Sequence, residues 1–308
     1  MNGFCHLNLH TDRSQFVGMI KPREVVSWCK QYGLGAAAVT DHDNICAAVE
    51  LYKHCKAQGI KPIYGMEVSI CSDKTKRERG TNNLVLLAKT HEGFKNLIIL
   101  ATISGMYFYY RPRIDMADVR EYSEGLIALT ACLNGLTAHK FFTGGQDGLR
   151  AEFLNLRTIF GDDLYLEVQP TAKEAQRVYN HACVMLANDP GVCAKLVATG
   201  DPHYLAEDDR NFHEHLMRIK VIGSKGGEWT YPFPGSYHMR TYDEMVDAFA
   251  DLHGYDVMAE TAFRNAMERP QKIVDTIDSF DIKEGIKIPT SLYESVPHTL
   301  RVHRYTAT

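Results

Sequence analysis

Short apolar runs alternate with longer amphipathic stretches along most of this chain, and this alternation limits the folds that it can adopt. Seven runs have the length of buried strands, and they lie at residues 5–9, 36–40, 62–70, 84–88, 125–130, 164–169 and 195–199. Helical patterns follow most of them, including those at residues 23–32, 45–58, 92–103, 135–142 and 149–160. Glycines close two of these helices, at Gly33 and Gly59. The pattern predicts an α/β fold with parallel strands, and seven units favour a distorted (β/α)7 barrel over an open sheet.

The alternation ends near residue 222, which indicates a change in organisation. Glycine, proline and aromatic residues dominate 226–235, and helical patterns follow at 243–252 and 259–278. We therefore predict a barrel core over residues 1–222 and a small helical appendage with a peripheral loop over 223–279. Residues 280–308 lack an amphipathic pattern and are predicted to form a C-terminal extension or linker.

Composition excludes several classes of protein. A hydrophobic content of 45% and a charged content of 23% are ordinary for a globular chain. The apolar runs are far shorter than the roughly 18 residues that span a bilayer, and the N-terminus lacks a secretory pattern. We therefore expect a cytoplasmic protein without a membrane segment. The eight cysteines show no CxxC spacing, so neither a disulfide framework nor a zinc knuckle is predicted.

The net charge of −4 argues against indiscriminate binding to nucleic acid, so any contact with DNA must be local. Two basic patches are candidates. The first, at residues 74–79, is expected to be a solvated loop. The second joins the aromatic run 107–110 to two arginines that flank Pro112. This patch either stacks on bases or packs its aromatics in the core, with Arg113 paired to Asp115 or Asp118.

Polar side chains collect at the ends of the predicted strands. In parallel barrels the chemistry gathers at the C-terminal ends of the strands, so these residues are the candidates for a functional site. They are His10, His42, Glu67, Cys132, Asp201 and His203. Imidazole, carboxylate and thiolate groups together suit a divalent ion such as zinc, manganese or iron.

The first candidates also have interpretations without a metal. Alternation along the first strand places His6, Asn8 and His10 on one face, where they could form a structural hydrogen-bonded cluster. Glu67 lies inside an apolar run, where an unpaired carboxylate would be costly to bury. It therefore needs a cation, which is either a metal ion or a lysine or arginine partner.

The remaining candidates stay open in the same way. Cys132 suits a buried thiol as well as a thiolate ligand at a strand end. Asp201 and His203 flank Pro202, and they could clamp one metal ion or act as an acid and a base without metal. The residue pattern alone does not choose between these interpretations.

The order of these motifs resembles the PHP (polymerase and histidinol phosphatase) domain of the alpha subunit of bacterial DNA polymerase III. The matching segments are residues 4–11, 38–44, 59–67, 84–89, 110–115, 122–129 and 201–204, and a weaker similarity continues to about residue 280. The resemblance implies a seven-stranded barrel with up to three metal ions. In active relatives such a centre hydrolyses phosphoesters, including 3′-terminal nucleotides of DNA.

The resemblance also implies a ligand set with gaps. All six candidates above match metal ligands of the family, whereas His6 matches a residue that is not a ligand. The set would place His10, Glu67 and Asp201 on one ion, Glu67 and Cys132 on a second, and His42 and His203 on a third. Active members have His, Asp and His at the positions of Asn8, Val17 and Asn83, so each ion would lose one ligand. The two Asn amides could still offer weak oxygen ligands.

Two functions follow from this resemblance. The first is a metal-dependent phosphoesterase or 3′–5′ exonuclease, a hydrolase with His10, Glu67 and Asp201 as catalytic residues, sub-stoichiometric divalent ions and weak or absent activity. The second is a non-catalytic module of DNA replication or repair that contacts DNA, a polymerase or a proofreading exonuclease. The 308 residues include no segment that resembles a polymerase palm, so we expect no polymerase activity from this chain alone.

Overall fold

The computed structural model describes residues 4–171, 174–221, 231–233 and 235–282. In these ranges helices surround one mixed sheet. The strands are β1 Ala36–Val39, β2 Lys61–Cys71, β3 Asn82–Ala88, β4 Ile114–Asp115, β5 Leu126–Leu129, β6 Leu164–Val168 and β7 Leu196–Ala198. The helices are α1 Pro22–Gln31, α2 Ala48–Gln58, α3 His91–Met106, α4 Met116–Glu121, α5 Leu136–Phe160, α6 Glu174–Asn188, α7 Arg210–Val221, α8 Tyr242–His253 and α9 Thr261–Thr276.

The sheet has the order β1-β2-β3-β5-β6-β7, and the short β4 pairs with the far end of β2. β1 and β2 are parallel, and so are β5, β6 and β7. β3 is antiparallel to both of its neighbours, so the prediction of parallel strands throughout was wrong. The physical reason is the connection from β2 to β3, which contains no helix and simply reverses the chain.

The segment at residues 4–10 closes the barrel between β1 and β7. The backbone N–H of Thr40, just after β1, donates to the carbonyl of Leu9 at 2.9 Å. The N–H of His10 donates to the carbonyl of Pro202, beyond β7, at 3.0 Å. The distorted (β/α)7 barrel is therefore confirmed. The segment itself is not a regular strand, contrary to the prediction, because the chain bends at Leu7 and Asn8.

This bend also breaks the alternation that the sequence predicted for the first segment. His6 leaves the barrel, and its Nε2 lies 2.9 Å from the carbonyl oxygen of Arg240. Asn8 and His10 instead point into the barrel, where they contact side chains of the strands. The three polar side chains therefore do not share one face, and only two of them lie at the candidate site.

The interior of the barrel has an apolar layer and a polar layer. Every second residue of a strand faces inward. The apolar layer forms one cluster that includes Ala36, Ala38, Ile63, Val85, Leu87, Ile127, Leu129 and Val197. Above it the buried inward positions are polar, namely Thr40, Glu67, Asn83, Glu167 and Thr199. The candidate site therefore lies in the polar end of an otherwise apolar barrel.

The helical predictions correspond closely to the observed helices, with one merger. The segments predicted at 135–142 and 149–160 join in α5, which kinks at Gly145, where φ is 63°. A positive φ of this size favours glycine because a β-carbon would clash with the backbone. β4 and α4 were not predicted from the sequence.

The C-terminal helices contact the barrel directly. Ile273 and Val274 of α9 join the same apolar cluster as Val197 of β7. No helix within the described ranges is long and apolar enough to cross a membrane. The loop predicted at 226–235 and the extension predicted at 280–308 lie mostly outside the described residues, and the domain boundaries stay predictions.

Candidate metal centre

Three ligand atoms from separate parts of the chain converge at the polar end of the barrel. Nε2 of His10 lies 3.0 Å from Oε2 of Glu67 and 3.2 Å from Oδ1 of Asp201. The ligand atoms of this group all lie within 4.8 Å of one another, and all three residues are buried. A buried nitrogen with two carboxylate oxygens is a donor set that suits zinc, manganese or iron.

His42 and His203 lie around the same imidazole. The ring centroid of His42 is 4.1 Å from that of His10 in a stacked arrangement, and the centroid of His203 is 4.7 Å away. Ring nitrogens of these three histidines form a second group within 4.8 Å. His203 is buried, whereas His42 is partly exposed at the rim. The structure therefore brings five of the six predicted ligands into two groups that share His10.

Cys132 lies beside these groups without joining either of them among the described residues. It follows β5 and is partly buried. Burial raises the pKa of its thiol well above the usual value, and the nearby carboxylates of Glu67 and Asp201 raise this pKa further. Cys132 is therefore a neutral thiol in this environment, and only a nearby cation would favour the thiolate.

Hydrogen bonds and neighbouring charges keep both His10 and Glu67 ionised. Burial alone would lower the pKa of His10, but the hydrogen bonds and charges of Asp201 and Glu67 outweigh it and raise this pKa to about 10. Burial would raise the pKa of Glu67, but the neighbouring His42 and His10 lower it to about 2. A proton on Nε2 of His10 thus occupies the position where a cation would bind, and the two compete.

A chain of hydrogen bonds orients the central imidazole. Nδ1 of His10 lies 3.2 Å from Oγ of Ser14, and this hydroxyl donates to Oδ1 of Asp41 at 2.7 Å. Asp41 also accepts from the backbone N–H and the hydroxyl of Thr11, both at 2.7 Å. Nδ1 is therefore engaged, and Nε2 faces the two carboxylates. The sequence analysis missed Ser14 and Asp41, although Asp41 directly precedes His42.

The amide of Asn8 is engaged at both ends. Its Nδ2 donates to Oε1 of Glu167 at 3.1 Å, and its Oδ1 accepts from the hydroxyl of Thr40 at 3.1 Å. All three side chains are buried. The hydroxyl of Thr40 thus uses one of the two lone pairs of the Asn8 amide oxygen, which leaves this oxygen a weaker ligand than a free amide.

Asn83 and Val17, the other two positions at which the resemblance implies a ligand, also make other contacts. The amide of Asn83 donates to Oε1 of Glu67. Val17 offers no donor from its side chain, and its carbonyl oxygen lies 2.5 Å from Nε2 of His213. Nδ1 of His213 lies 2.6 Å from the hydroxyl of Tyr231, so both ring nitrogens have partners. His213 therefore holds the Val17 loop and does not replace a missing ligand.

Glu167 is a buried carboxyl group that the sequence analysis missed. Its Oε1 accepts from Asn8, from Nε2 of Gln169 at 2.9 Å and from the hydroxyl of Thr199. Its Oε2 is buried without a hydrogen-bond partner among the described residues, and burial raises the pKa of this carboxyl to about 7. The signal was present in the sequence, because this carboxylate interrupts an apolar run as Glu67 does.

The two basic patches form one structural unit. Arg113 is buried, and its guanidinium donates to three backbone carbonyls within residues 74–79, including that of Lys74 at 3.1 Å. Lys74, rather than Arg113, pairs with Asp115 and Asp118. The alternative in which Arg113 pairs with Asp115 or Asp118 was therefore wrong, whereas residues 75–79 form an exposed loop. A planar guanidinium with five donors can hold several loop carbonyls at once.

Comparison with known proteins places this barrel in a family. The sequence model of the PHP domain matches residues 6–171, which is more than half of the chain and includes β1 to β6. The chain belongs to the PHP domain family. The matched region of this PHP domain contains His10, His42, Glu67 and Cys132, and the match ends before Asp201 and His203.

Curated relatives of this PHP domain are DNA polymerase III alpha subunits. The protein from Aquifex aeolicus is 40% identical in an alignment of 318 positions, gaps included. The alignment covers 96% of this chain and 26% of the relative. The one from Borreliella burgdorferi is 32% identical, and the match covers 91% of this chain and 24% of the relative. The one from Helicobacter pylori strain J99 is also 32% identical, with 94% and 24% covered. The chain spans about a quarter of the length of these relatives.

Solved structures resemble this PHP domain only distantly. An amidohydrolase from Chromobacterium violaceum has a TM-score of 0.41 at 14% identity, over 66% of this chain and 88% of that chain. A second structure is a two-domain protein from Bacteroides vulgatus, which contains a predicted PHP-like metal-dependent phosphoesterase. Its TM-score is 0.39 at 13% identity, and the match covers 65% of this chain and 52% of that chain.

Proposed function

We propose that this PHP domain binds divalent metal at His10, Glu67 and Asp201, with His42, His203 and Cys132 as further ligands, and hydrolyses phosphoesters weakly or not at all. The observation that carries this proposal is the convergence of Nε2 of His10 with two buried carboxylates, all within 4.8 Å. Zinc, manganese and iron are the ions that this donor set fits. The substrate class is a phosphoester, and the 3′ end of DNA is the candidate within it.

The charges of the site fit a cation. Two buried carboxylates, Glu67 and Asp201, share one imidazole, and a third carboxyl, that of Glu167, lies close enough to raise the thiol pKa of Cys132. Buried carboxylates need positive charge nearby, and a divalent ion provides more of it than one proton on His10. The residues present therefore suit a metal ion better than an empty polar cavity.

The altered positions support weak binding. Asn83 donates to an oxygen of Glu67 that a metal ion would otherwise use, and the amide of Asn8 is engaged with Glu167 and Thr40. Val17 provides no ligand atom. Each missing ligand lowers affinity, and the hydrogen bonds of the two amides hold them toward Glu167 and Glu67. We therefore expect sub-stoichiometric occupancy.

The residues of this chain would divide the work of hydrolysis by position. A divalent ion, when bound, lowers the pKa of a water molecule and stabilises charge on the attacked phosphate. Ser14 and Asp41 keep the imidazole of His10 turned toward Glu67 and Asp201. His42 lies at the rim, where a phosphate entering from solvent would first meet the centre.

Elemental mass spectrometry tests metal binding directly. Protein purified without chelators or a histidine tag should carry some divalent metal, and Glu67→Ala and His42→Ala should lose it. His54→Ala is the matched control, because His54 is 43% exposed and only approaches Glu50 at 3.9 Å. A metal-free parent protein would contradict the proposal.

Restoring the altered ligands tests the reason for weak activity. The combined variant Asn8→His, Val17→Asp and Asn83→His should hold more metal and should hydrolyse a 3′-labelled oligonucleotide faster with manganese. Full metal stoichiometry with rapid hydrolysis in the unaltered protein would contradict the proposal of weak activity. A restored variant that is fully loaded but inert would favour a binding role.

A role in DNA replication or repair is the second candidate, and the identity of the curated relatives favours it. Each of the three relatives compared is a DNA polymerase III alpha subunit. In this role the domain is cytoplasmic and contacts DNA, a polymerase or a proofreading exonuclease without catalysis. Surface plasmon resonance against DNA, a purified polymerase and a purified proofreading exonuclease, with and without EDTA, tests it. Binding that persists in EDTA supports the second candidate, and no binding under either condition contradicts it.

A further inference from the structure

A cavity of about 420 Å³ opens at the end of the barrel where Leu34 precedes β1. Phe4, at the start of the first segment, also lines it, whereas His10 at the other end of that segment belongs to the candidate metal centre. The volume falls within the roughly 300–1,000 Å³ of typical ligand sites. The cavity therefore has the size of a ligand site and shares no residue with the metal centre.

Aromatic rings make up most of the wall of this cavity. The lining includes Phe4, Trp28, Tyr32, Leu34, Tyr242 and Asp243. The ring centroids of Trp28 and Tyr32 lie 4.6 Å apart, and the planes of the two rings are inclined at 45°. Trp28 is buried, whereas Tyr32 is 36% exposed. The two rings thus form one aromatic surface that is anchored in the core at Trp28 and open to solvent at Tyr32.

The charge of the wall comes from a carboxylate. Asp243 is exposed and makes no ion pair or side-chain hydrogen bond with the residues that the structure describes. Burial raises the pKa of the Tyr242 phenol, and the carboxylates of Glu268 and Asp243 raise this pKa further. Glu268 is paired with Lys272 at 2.9 Å, so Asp243 provides the charge that is not balanced. The described residues of the lining include no lysine or arginine, and the wall is therefore negative.

Two helix ends also meet at the cavity. Tyr32 caps the C-terminus of α1, and Tyr242 is the first residue of α8. The C-terminus of a helix carries about half a negative charge and the N-terminus about half a positive charge, so these two ends oppose each other. The full charge of Asp243 then decides the sign of the local field, which favours a cation.

The side chains of the wall offer few acceptors to a ligand that donates hydrogen bonds. The hydroxyl of Thr241, which also lines the cavity, donates to Oε2 of Glu244 at 2.9 Å. The other side-chain acceptors are Asp243 and the phenol oxygens of Tyr32 and Tyr242. A primary ammonium brings three N–H donors and a guanidinium five, and a buried donor without a partner is costly. A quaternary ammonium has no N–H group, and it requires only aromatic faces and a negative charge nearby.

We propose that this cavity binds the quaternary ammonium group of a small molecule. Trp28 and Tyr32 contact its methyl groups, Tyr242 adds a further ring, and Asp243 balances its charge. The quadrupole of an aromatic ring attracts a cation that lies over its face. A neutral apolar ligand would fit the rings but would make no use of Asp243. The inference goes beyond the proposed function, because this cavity shares no residue with the metal centre and requires no metal.

Fluorescence titration of Trp28 in EDTA tests the inference. The chain has two tryptophans, so Trp229→Phe leaves Trp28 as the only emitting indole. The probes are choline, 3,3-dimethyl-1-butanol, which has the same shape without the charge, and ethanolamine, which carries a primary ammonium. We expect choline to change the Trp28 emission and to bind about tenfold more tightly than either of the other probes, which is within the range for a cation on aromatic rings.

Substitutions separate the contribution of the rings from that of the charge. Tyr32→Leu keeps an apolar contact and should weaken choline by about fivefold, whereas Tyr32→Phe keeps the ring and should bind choline as the parent does. Asp243→Asn should weaken choline by about threefold and leave 3,3-dimethyl-1-butanol unchanged. Asp247→Asn, at an exposed position one turn further along α8, is the matched control and should change no affinity. Thermal unfolding of each variant, monitored by circular dichroism, checks that the fold is retained.

Four outcomes would overturn the inference. Choline might fail to bind, or it might bind no more tightly than 3,3-dimethyl-1-butanol, in which case the cavity selects only for an apolar shape. Ethanolamine that binds as tightly as choline would contradict the quaternary class. A choline affinity that survives both Tyr32→Leu and Asp243→Asn would place the ligand elsewhere. None of these results depends on the metal content of the protein, so the proposed function stands or falls separately.

Discussion

The side-chain amide of Asn8 donates to the carboxyl oxygen Oε1 of Glu167 at 3.1 Å, inside the barrel and across 159 positions of sequence. Both residues are fully buried. The position at which the resemblance to the PHP family implies a metal ligand is here part of a hydrogen-bond network that joins the first segment to β6. The change at Asn8 is therefore more than the loss of a ligand, because the new side chain has a structural partner.

This pairing predicts that Asn8→Asp destabilises the protein. The substitution places a second carboxyl group against Glu167 in a buried position. It also removes the N–H that now donates to Oε1 of Glu167. We expect the free energy of unfolding at pH 8 to fall by about 2–4 kcal/mol, measured by urea denaturation in EDTA. Asn82→Asp, at a less buried position of β3, is the control and should change it by less than about 1 kcal/mol. Equal effects of the two substitutions would rule out the structural role of Asn8.

Glu167 predicts a dependence of stability on pH. Burial raises its pKa from 4.5 to about 7, so the folded state holds this proton more tightly than the unfolded state. The contribution of Glu167 to stability is therefore fully present below pH 4.5 and is lost as the pH rises through 7. Glu167→Gln should remove this loss, because the amide does not titrate. Its free energy of unfolding should therefore gain on the order of 3 kcal/mol relative to that of the parent protein between pH 5 and pH 8. Glu124→Gln, at an exposed position, should show no such gain, and a pH-independent difference for Glu167→Gln would refute the prediction.

Metal binding should release a proton from His10. Its pKa of about 10 without metal means that Nε2 is protonated at neutral pH and that an ion must displace this proton. The apparent affinity for manganese should then rise by at least about tenfold for each pH unit between 6.5 and 8.5, because His10 releases one proton and ligation by the Cys132 thiolate would release another. Calorimetry in buffers of different ionisation enthalpy measures the number of protons released. His54→Ala should behave as the parent does, and the absence of proton release would show that His10 is not a ligand.

The contacts of Arg113 predict that a lysine, which keeps the positive charge, cannot replace the guanidinium at this position. Its side chain holds carbonyl groups in the loop at 74–79, which a lysine ammonium cannot reach in the same planar arrangement. Arg113→Lys should lower the free energy of unfolding by about 2 kcal/mol. Arg120→Lys, which alters an exposed arginine bonded to Asn155 at 2.8 Å, is the matched control. If both variants unfold at the same urea concentration as the parent, the carbonyl contacts do not stabilise the loop.

Sequence reasoning found the candidate ligands from the positions of polar residues at strand ends. It justified Glu67 by the cost of burying a carboxylate in an apolar run, and the same cost applied to Glu167 would have found that residue as well. It could not find the orientation of β3, because an apolar strand has the same pattern in either direction. It also could not find the bend at Leu7 and Asn8, since alternation assumes a regular strand.

The apolar layer of the barrel and the helices around it can be predicted from the amino-acid sequence, because periodic burial is a local property of neighbouring residues. Membership of the PHP family also follows from the amino-acid sequence. The partner of each polar side chain, by contrast, depends on how the chain folds in three dimensions. Asn8 meets Glu167, and the imidazole of His10 meets Glu67 and Asp201. Such pairs depend on which strands become neighbours when the barrel closes, and residues far apart in sequence then share one buried volume where every polar group needs a partner.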